Sequence, residues 1–333
     1  MLRTVACLTI ASYCGVPTAA MGFEEDDWST GSTDNRFAGL SQKSGTLFRR
    51  VREADPVAQL QHALNLESQG RLRRAGRQFN ALVHRWPEAD EAAAAQLALA
   101  RVLQARGRYE NAFREYQYLI EHYGGLFSYH AVLSEQLTVA RSVMEQRRGT
   151  FGFLPGFESP ERAIPLLQVI IANGPNWAEI PEVRLMIGRI HEDGADYADA
   201  VAAYEAVIIN HGRHPATQEA IFRKAICLER IANRHPRDTQ RTHAAMQALF
   251  AALREDLNPE QAAEVQALIA GLRDRLEQIH LDQADYYDRI ARNPDAALLS
   301  YRDFVRRFPN SERQAFVMER IKKLEAMDAK QKE

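Results

Sequence analysis

The sequence predicts an all-α protein built as a superhelical array of about six helical hairpins. Three observations support this prediction. The composition is rich in helix-forming residues, apolar residues recur at helical spacing from Leu60 onward, and the same order of small, turn and aromatic residues returns several times along the chain. The chain has 333 residues, 26% of them charged, and a formal net charge of −2, which argues against nucleic acid as the main partner.

The clearest hairpin occupies residues 183–215. Its pattern predicts a helix with Gly188 on the inner face, a turn at Asp193-Gly194, and a second helix with Ala200 and Tyr204 facing inward. The two small residues allow the helix backbones to approach closely, and the tyrosine ring can fill the space beside them. A hairpin of this kind resembles the tetratricopeptide (TPR) repeat, which buries its apolar face only against stacked neighbours.

Similar hairpins can be followed through the chain. The small position of the second helix recurs after 37 residues between Ala75 and Ala112, and again between Ala163 and Ala200, compared with about 34 in the ideal repeat. Other gaps are longer, so the array is expected to be irregular. The last hairpin is expected to begin with a long helix over about 259–289, and a polar helix after this hairpin would cap the array.

The N-terminal residues 1–22 read as a secretory signal peptide. Arg3 precedes an apolar run from Thr4 to Val16, and small residues follow, as at a cleavage site. A short membrane anchor is the alternative, but the run is shorter than the roughly 20 residues that span a bilayer. Cys14 follows a bulky tyrosine, so its lipidation is not expected. Cleavage then leaves Cys227 as the single cysteine, and the surrounding apolar pattern predicts that it is a core residue.

Residues 23–56 are expected to form a flexible arm, because acidic residues, Ser, Thr and Gly occur there without periodicity. The aromatic residues of the arm, Trp28, Phe37 and Phe48, are either docking points or side chains without a role. The TPR-like repeat domain is expected to occupy residues 57–333.

The sequence predicts no catalytic, metal or cofactor site. The nearest candidates for metal ligands, His191-Glu192-Asp193 and Glu121-His122, fall at predicted helix ends, where polar residues are common, and no HExxH or paired-cysteine motif is present. We therefore expect a protein that is not an enzyme. The alternative is a TPR domain with a cryptic hydrolase site that uses His191 and Glu192.

Two sets of residues are candidates for partner binding. The first helices of a repeat array line its inner surface, which suits an extended peptide or a helix of a partner. Arg101, Gln104, Arg189 and Glu192 are expected to point toward that surface, although each is also compatible with a merely solvated face. Phe151, Phe153 and Phe157 lie in an insertion within the third hairpin, and either dock a partner or fold back on neighbouring helices.

The closing run of the chain carries a further pattern. A long helix leads to Tyr286-Tyr287, then to Ala296-Ala297, and then to the helix-ending Phe308-Pro309-Asn310-Ser311. With the segments YENAFREYQYLIEHYG and YADAVAAYEAVIINHG and the insertion rich in phenylalanine and glycine, this order resembles the outer-membrane assembly lipoprotein family of BamD and its relatives. The resemblance covers about residues 60–324.

This resemblance implies a non-enzymatic scaffold at the periplasmic face of an outer membrane that helps to assemble and insert β-barrel proteins. Its N-terminal repeats would receive unfolded outer-membrane proteins, and its C-terminal repeats would hold other envelope assembly proteins. Membrane association would be peripheral, because the lipid-bearing cysteine of the family is not matched. The alternative is a periplasmic TPR adaptor for cell-wall synthesis or division, of the CpoB-like type, although the residues before Leu60 lack the heptads of its coiled coil.

Overall fold

The computed structural model describes residues 50–146 and 159–332, and within these residues it contains thirteen α-helices and no strand. Twelve helices form six hairpins, and the thirteenth follows the last hairpin, as the repeat pattern predicts. The first helices are α1 (Pro56–Ser68), α3 (Asp90–Ala105), α5 (Tyr129–Glu145), α7 (Ile180–Asp193), α9 (Ala216–Arg234) and α11 (Pro259–Asp285). The second helices are α2 (Leu72–Arg85), α4 (Tyr109–His122), α6 (Ile164–Asn173), α8 (Tyr197–Asn210), α10 (Thr239–Ala252) and α12 (Pro294–Arg307), and α13 (Gln314–Lys332) ends the array.

Side-chain caps determine where several helices begin. The Asp55 side chain accepts a backbone N–H bond at 2.9 Å, and α1 starts at Pro56, four residues before the apolar pattern becomes clear at Leu60. Asn258 begins α11 through a capping box, in which Asn258 and Gln261 exchange side-chain-to-backbone hydrogen bonds. These caps satisfy backbone N–H groups that would otherwise lack partners at the helix ends.

The second helices share one buried face. Each places a large side chain in the core with no solvent exposure: Phe79, Tyr116, Leu167, Tyr204, Leu249 and Tyr301. A fully buried alanine lies four residues earlier in every case: Ala75, Ala112, Ala163, Ala200, Ala245 and Ala297. In the third hairpin this alanine ends a short 3₁₀ turn, Pro160–Ala163, that leads directly into α6. Residues separated by four lie on the same side of a helix, so this pair repeats one packing arrangement six times. The recurring small position predicted from the sequence is confirmed, and the large position holds an aromatic residue in four hairpins and leucine in the third and fifth.

In the fourth hairpin, Gly188 of α7 lies directly against the ring of Tyr204 of α8. A Cβ atom added to Gly188 would lie 2.6 Å from Cδ1 and 2.8 Å from Cζ of the tyrosine. No side chain fits there unless the fully buried ring moves. The prediction that this glycine allows close approach, with the tyrosine filling the space, is confirmed.

Four hairpins turn through a residue with positive φ, which lies nine residues before the large buried side chain of the second helix. In the first two hairpins the residue is a glycine, Gly70 or Gly107, with φ near +70°. In the fourth hairpin Gly194 has φ −74°, and its neighbour Ala195 has φ +60°. In the sixth hairpin Arg292 has φ +49°. Side chains disfavour this conformation by about 1 kcal/mol, so the last two turns are strained.

The hydrophobic core is not uniform along the described part of the array. One cluster of buried side chains runs from Ala63 in α1 to Ile190 in α7. Three smaller clusters follow. The core of the C-terminal half is therefore divided, whereas the core of the N-terminal half is continuous. Cys227 is fully buried in one of the smaller clusters, as predicted, and burial raises the pKa of its thiol to about 12.

The long helix predicted over about 259–289 is confirmed, with one irregularity at its end. Helix α11 ends at Asp285 and continues as one π-helical turn, Tyr286–Ile290. A π-helical turn inserts an extra residue into a helix. Accordingly, the stretch from Ala284 to Tyr301 is longer by a single position than the equivalent stretch from Gly188 to Tyr204.

Candidate protein-binding surface

Charged side chains join the first helices of successive hairpins. Arg101 of α3 pairs with Glu135 of α5 at 3.3 Å. Arg189 of α7 donates to both carboxylate oxygens of Glu219 of α9, at distances of 2.6 and 2.7 Å. We refer to the face on which these first helices meet as the inner surface. These ion pairs link α3 to α5 and α7 to α9 on this surface.

A network of four charges lies where the fourth hairpin meets the fifth. Arg223 donates to Glu192 at 3.1 Å and to Glu219 at 2.6 Å, so that Glu192, Arg223, Glu219 and Arg189 alternate in sign. Burial alone would raise the pKa of Glu219, but the hydrogen bonds from the two arginines outweigh burial and lower this pKa. Both carboxylates therefore receive charge-assisted hydrogen bonds, which hold the network in one geometry.

Tyrosine hydroxyl groups connect this surface to the core in two hairpins. Tyr204 donates to Glu192 at 2.6 Å, and Tyr116 donates to Gln104 at 2.9 Å. In both hairpins the acceptor lies twelve residues before the tyrosine. Burial, followed by the bond to Glu192, raises the pKa of Tyr204, so its phenol stays protonated and remains a donor. The side chains of Gln104 and Glu192 are thus held by the buried ring beneath them.

The sixth hairpin has a related arrangement with two carboxylates. Tyr301 donates to Asp285 at 2.6 Å and to Asp288 at 3.1 Å. Arg320 of α13 donates to both oxygens of Asp288, at 2.6 and 2.7 Å. The bonds from Arg320 are the main cause of a lowered pKa of Asp288. The last hairpin is therefore tied to α13 as the fourth hairpin is tied to the fifth.

The four polar residues predicted for partner binding lie at two separate junctions. Arg101 and Gln104 belong to the junction between the second and third hairpins, and Arg189 and Glu192 belong to the junction between the fourth and fifth. The side chains of Arg101 and Arg189 remain 53% and 42% exposed, whereas that of Glu192 is 19% exposed. The two arginines are the more accessible groups, and Glu192 mainly organises its neighbours.

Sequence reasoning missed the partners of these residues on the next hairpin, Glu135, Glu219 and Arg223. One signal was available for the first of them, because the spacing from Arg101 to Glu135 equals the length of the ideal repeat. Phe151, Phe153 and Phe157 lie outside the described residues. Their role in partner docking therefore stays a prediction.

Other kinds of site are not seen in residues 50–146 and 159–332. No group of three His, Cys, Asp or Glu side chains in this part of the chain has the arrangement of a metal site. None of the helices described there is both long and apolar enough to cross a membrane.

The hairpin array and its repeated packing define a tetratricopeptide-repeat protein. A family model described as tetratricopeptide repeat matches residues 60–125. Among similar solved structures, YrrB, described as a TPR protein with an unusual peptide-binding site, is 18% identical with a TM-score of 0.34, and the match covers 64% of this chain and 92% of YrrB. The C-terminal part of a TPR protein from Cytophaga hutchinsonii is 16% identical with a TM-score of 0.34, covering 79% of this chain and 87% of that one.

A second family model, YfiO, described as outer membrane lipoprotein, matches residues 158–333, which is more than half of the chain. The chain therefore belongs to this outer membrane lipoprotein family. The resemblance to the BamD family found in the sequence is confirmed, and both matches indicate a scaffold for protein interaction. No curated protein matches the chain significantly.

Proposed function

We propose that the chain is a non-enzymatic scaffold on the periplasmic side of an outer membrane and that it assists the assembly and insertion of β-barrel proteins. The observation that carries the proposal is the family match over residues 158–333, on a repeat array with an organised inner surface. The signal-like sequence at residues 1–22 supports delivery to the periplasm. Attachment to the membrane would then be peripheral, through partner proteins.

The inner surface supports this role because it offers several weak, spaced contacts rather than one deep site. Arg101 and Arg189 lie on α3 and α7, and each keeps an exposed guanidinium while one carboxylate holds it in place. A guanidinium donates to backbone carbonyls and carboxylates of an extended polypeptide. An unfolded barrel segment could therefore be held by its backbone, with little dependence on its sequence.

The two ends of the array suit different partners in this proposal. The N-terminal hairpins share one continuous core and would receive unfolded outer-membrane proteins. The C-terminal hairpins, with their smaller core clusters, would hold other envelope assembly proteins. This division follows the expectation drawn from the family resemblance.

The test is depletion of the protein in its source bacterium, followed by measurement of outer-membrane barrel levels and identification of co-purifying proteins. We expect barrel levels to fall and envelope assembly proteins to co-purify. Complementation with Arg101→Glu should restore barrel levels only in part, whereas Arg77→Glu, an equal charge reversal on the exposed side of α2, should restore them fully. Unchanged barrel levels after depletion, with no envelope partner recovered, would contradict the proposal.

A further inference from the structure

Five arginines form a basic cluster at the turns of the first two hairpins. Arg71, Arg73 and Arg74 lie at the first turn and the start of α2, and Arg106 and Arg108 lie at the second turn. They border an open cleft of about 780 Å³. Four of them are exposed, and Arg106 is half-buried. We refer to these five residues as the arginine cluster.

The described residues supply no acidic partner for this cluster. None of its five guanidinium groups forms an ion pair within residues 50–146 and 159–332, whereas Arg101 and Arg189 on the inner surface are both paired with a carboxylate. Glu110, the nearest acidic residue in the sequence after Arg108, is paired with Arg162. Five like charges at adjoining turns repel one another, and an anionic segment would relieve this repulsion.

The N-terminal arm contains a segment of matching charge. Glu24, Glu25, Asp26 and Asp27 are four consecutive carboxylates, followed by Trp28, whose ring can stack on a guanidinium. We propose that this acidic segment, residues 24–28, docks on the arginine cluster of the same chain. The proposal does not depend on the proposed function, because it rests on charge and chain length alone.

The length of the connecting chain fits this docking. The backbone N–H groups of Arg52 and Glu53 donate to the Gln59 side chain, so the arm leaves the repeat domain at the start of α1. The arginine cluster lies beyond the other end of α1, and a helix of 13 residues is about 20 Å long. A flexible chain of 23 residues, which is the separation of Asp27 and Arg50 in the sequence, has a root-mean-square span of about 26 Å.

A tether whose mean span is close to the required distance gives a high effective concentration, in the millimolar range. Several weak charge pairs are then sufficient for docking within one molecule. A membrane surface or a second copy of the chain could also supply negative charge. Neither has the advantage of the tether, and both are distinguished by the experiment.

The test is cross-linking of the full secreted chain with a zero-length carbodiimide reagent. This reagent joins carboxylates to lysine but not to arginine. Arg71→Lys and Arg108→Lys each place a reactive amine in the cluster. Arg237→Lys is the matched control, because Arg237 is exposed and lies in a distant turn between α9 and α10. Digestion and mass spectrometry should show cross-links from the two cluster lysines to residues 24–27 at least about tenfold more often than from the control.

High salt should abolish these cross-links, because it screens the charge pairs that hold the segment in place. The combined change E24Q, E25Q, D26N and D27N removes the negative charge of the segment and should increase flotation of the protein with phosphatidylglycerol vesicles, because it frees the arginine cluster. Equal cross-linking from the cluster and the control would overturn the proposal. Cross-links found only between two differently isotope-labelled chains would show that a second copy is the occupant. Strong vesicle binding that the four changes do not affect would show that a membrane surface occupies the arginine cluster.

Discussion

The fourth and sixth hairpins solve one packing problem in different ways. In both, a fully buried tyrosine of the second helix donates its hydroxyl group to a carboxylate at the first helix or its end, Glu192 in the fourth hairpin and Asp285 and Asp288 in the sixth. An arginine of the following element also binds this site, Arg223 to Glu192 and Arg320 to Asp288. In the fourth hairpin, Gly188 makes room for the ring and the helix stays regular. In the sixth, Ala284 occupies the small position, and a π-helical turn presents two carboxylates instead of one.

The difference teaches where each hairpin is vulnerable. The fourth hairpin depends on one tight steric contact, that of Gly188 with Tyr204, and on a single carboxylate, Glu192. The sixth depends less on any one group, because Asp285 and Asp288 share the tyrosine hydroxyl and Arg320 holds Asp288 with two bonds. Four predictions sharpen this comparison.

The largest effect is expected for Gly188→Ala. The added methyl group overlaps the fully buried ring of Tyr204, so we expect a loss of about 3 kcal/mol in the free energy of unfolding. The matched control is Gly271→Ala in the middle of α11, where nothing lies within 4 Å of an added Cβ. That change should stabilise the helix by about 0.5–1 kcal/mol. Denaturant unfolding of both variants checks the pair, and equal effects would refute the steric contact.

A smaller effect is expected when the tyrosine hydroxyl groups are removed. Tyr204→Phe should lower the free energy of unfolding by about 1.5 kcal/mol, because Glu192 is little exposed and retains only the 3.1 Å bond from Arg223. Tyr301→Phe should cost about half as much, because Asp288 keeps both bonds from Arg320 and water can reach Asp285. The same unfolding measurement decides the order, and a larger loss for Tyr301→Phe would reverse the comparison.

The strained turns give the third prediction. Ala195→Gly in the fourth hairpin and Arg292→Gly in the sixth should each raise the free energy of unfolding by about 0.5–1 kcal/mol, since glycine accepts positive φ without a steric penalty. Gly107→Ala in the second hairpin should have the opposite effect, of about 1 kcal/mol, although an added Cβ would meet no atom within 4 Å. A neutral Gly107→Ala would show that backbone strain does not govern these turns.

The smallest effect concerns pH. The lowered pKa of Glu219 stabilises the folded state above the ordinary value of 4.5, and this stabilisation is lost as the pH falls below that value. Because the side chain is 35% exposed, the contribution should be below about 1 kcal/mol. Glu219→Gln should therefore flatten the acid side of the stability profile. Glu264→Gln, an exposed position on α11, should leave the profile unchanged, and equal profiles for both variants would contradict the role of the network.

Most of the fold could be predicted because it depends on a repeated local pattern. The alanines from Ala75 to Ala297 and the large residues four positions later are buried in every hairpin, so their periodicity carries the architecture. The strained turn at Ala195 could not be predicted, since the adjacent Gly194 is the residue that usually takes positive φ. The π-helical turn at Tyr286–Ile290 was not predicted from the sequence either.

The candidate surface was predictable only in part. Helical spacing assigns Arg101, Gln104, Arg189 and Glu192 to first helices, but it does not reveal the residues that pair with them. Glu219 follows Arg189 at a shorter spacing than that from Arg101 to Glu135, because the hairpins differ in length. Contacts between hairpins therefore depend on how the hairpins stack, and local periodicity carries no information about that.

The most direct test of the central claim, that the inner surface binds unfolded barrel proteins, is photo-cross-linking in the source bacterium. A photoreactive amino acid would be placed at position 101 or 189 on the first helices, and at position 77 or 209 on exposed parts of the second helices. We expect cross-links to outer-membrane barrel proteins from positions 101 and 189, and none from 77 and 209. Cross-links from the second helices alone, or from none of the four positions, would contradict the claim.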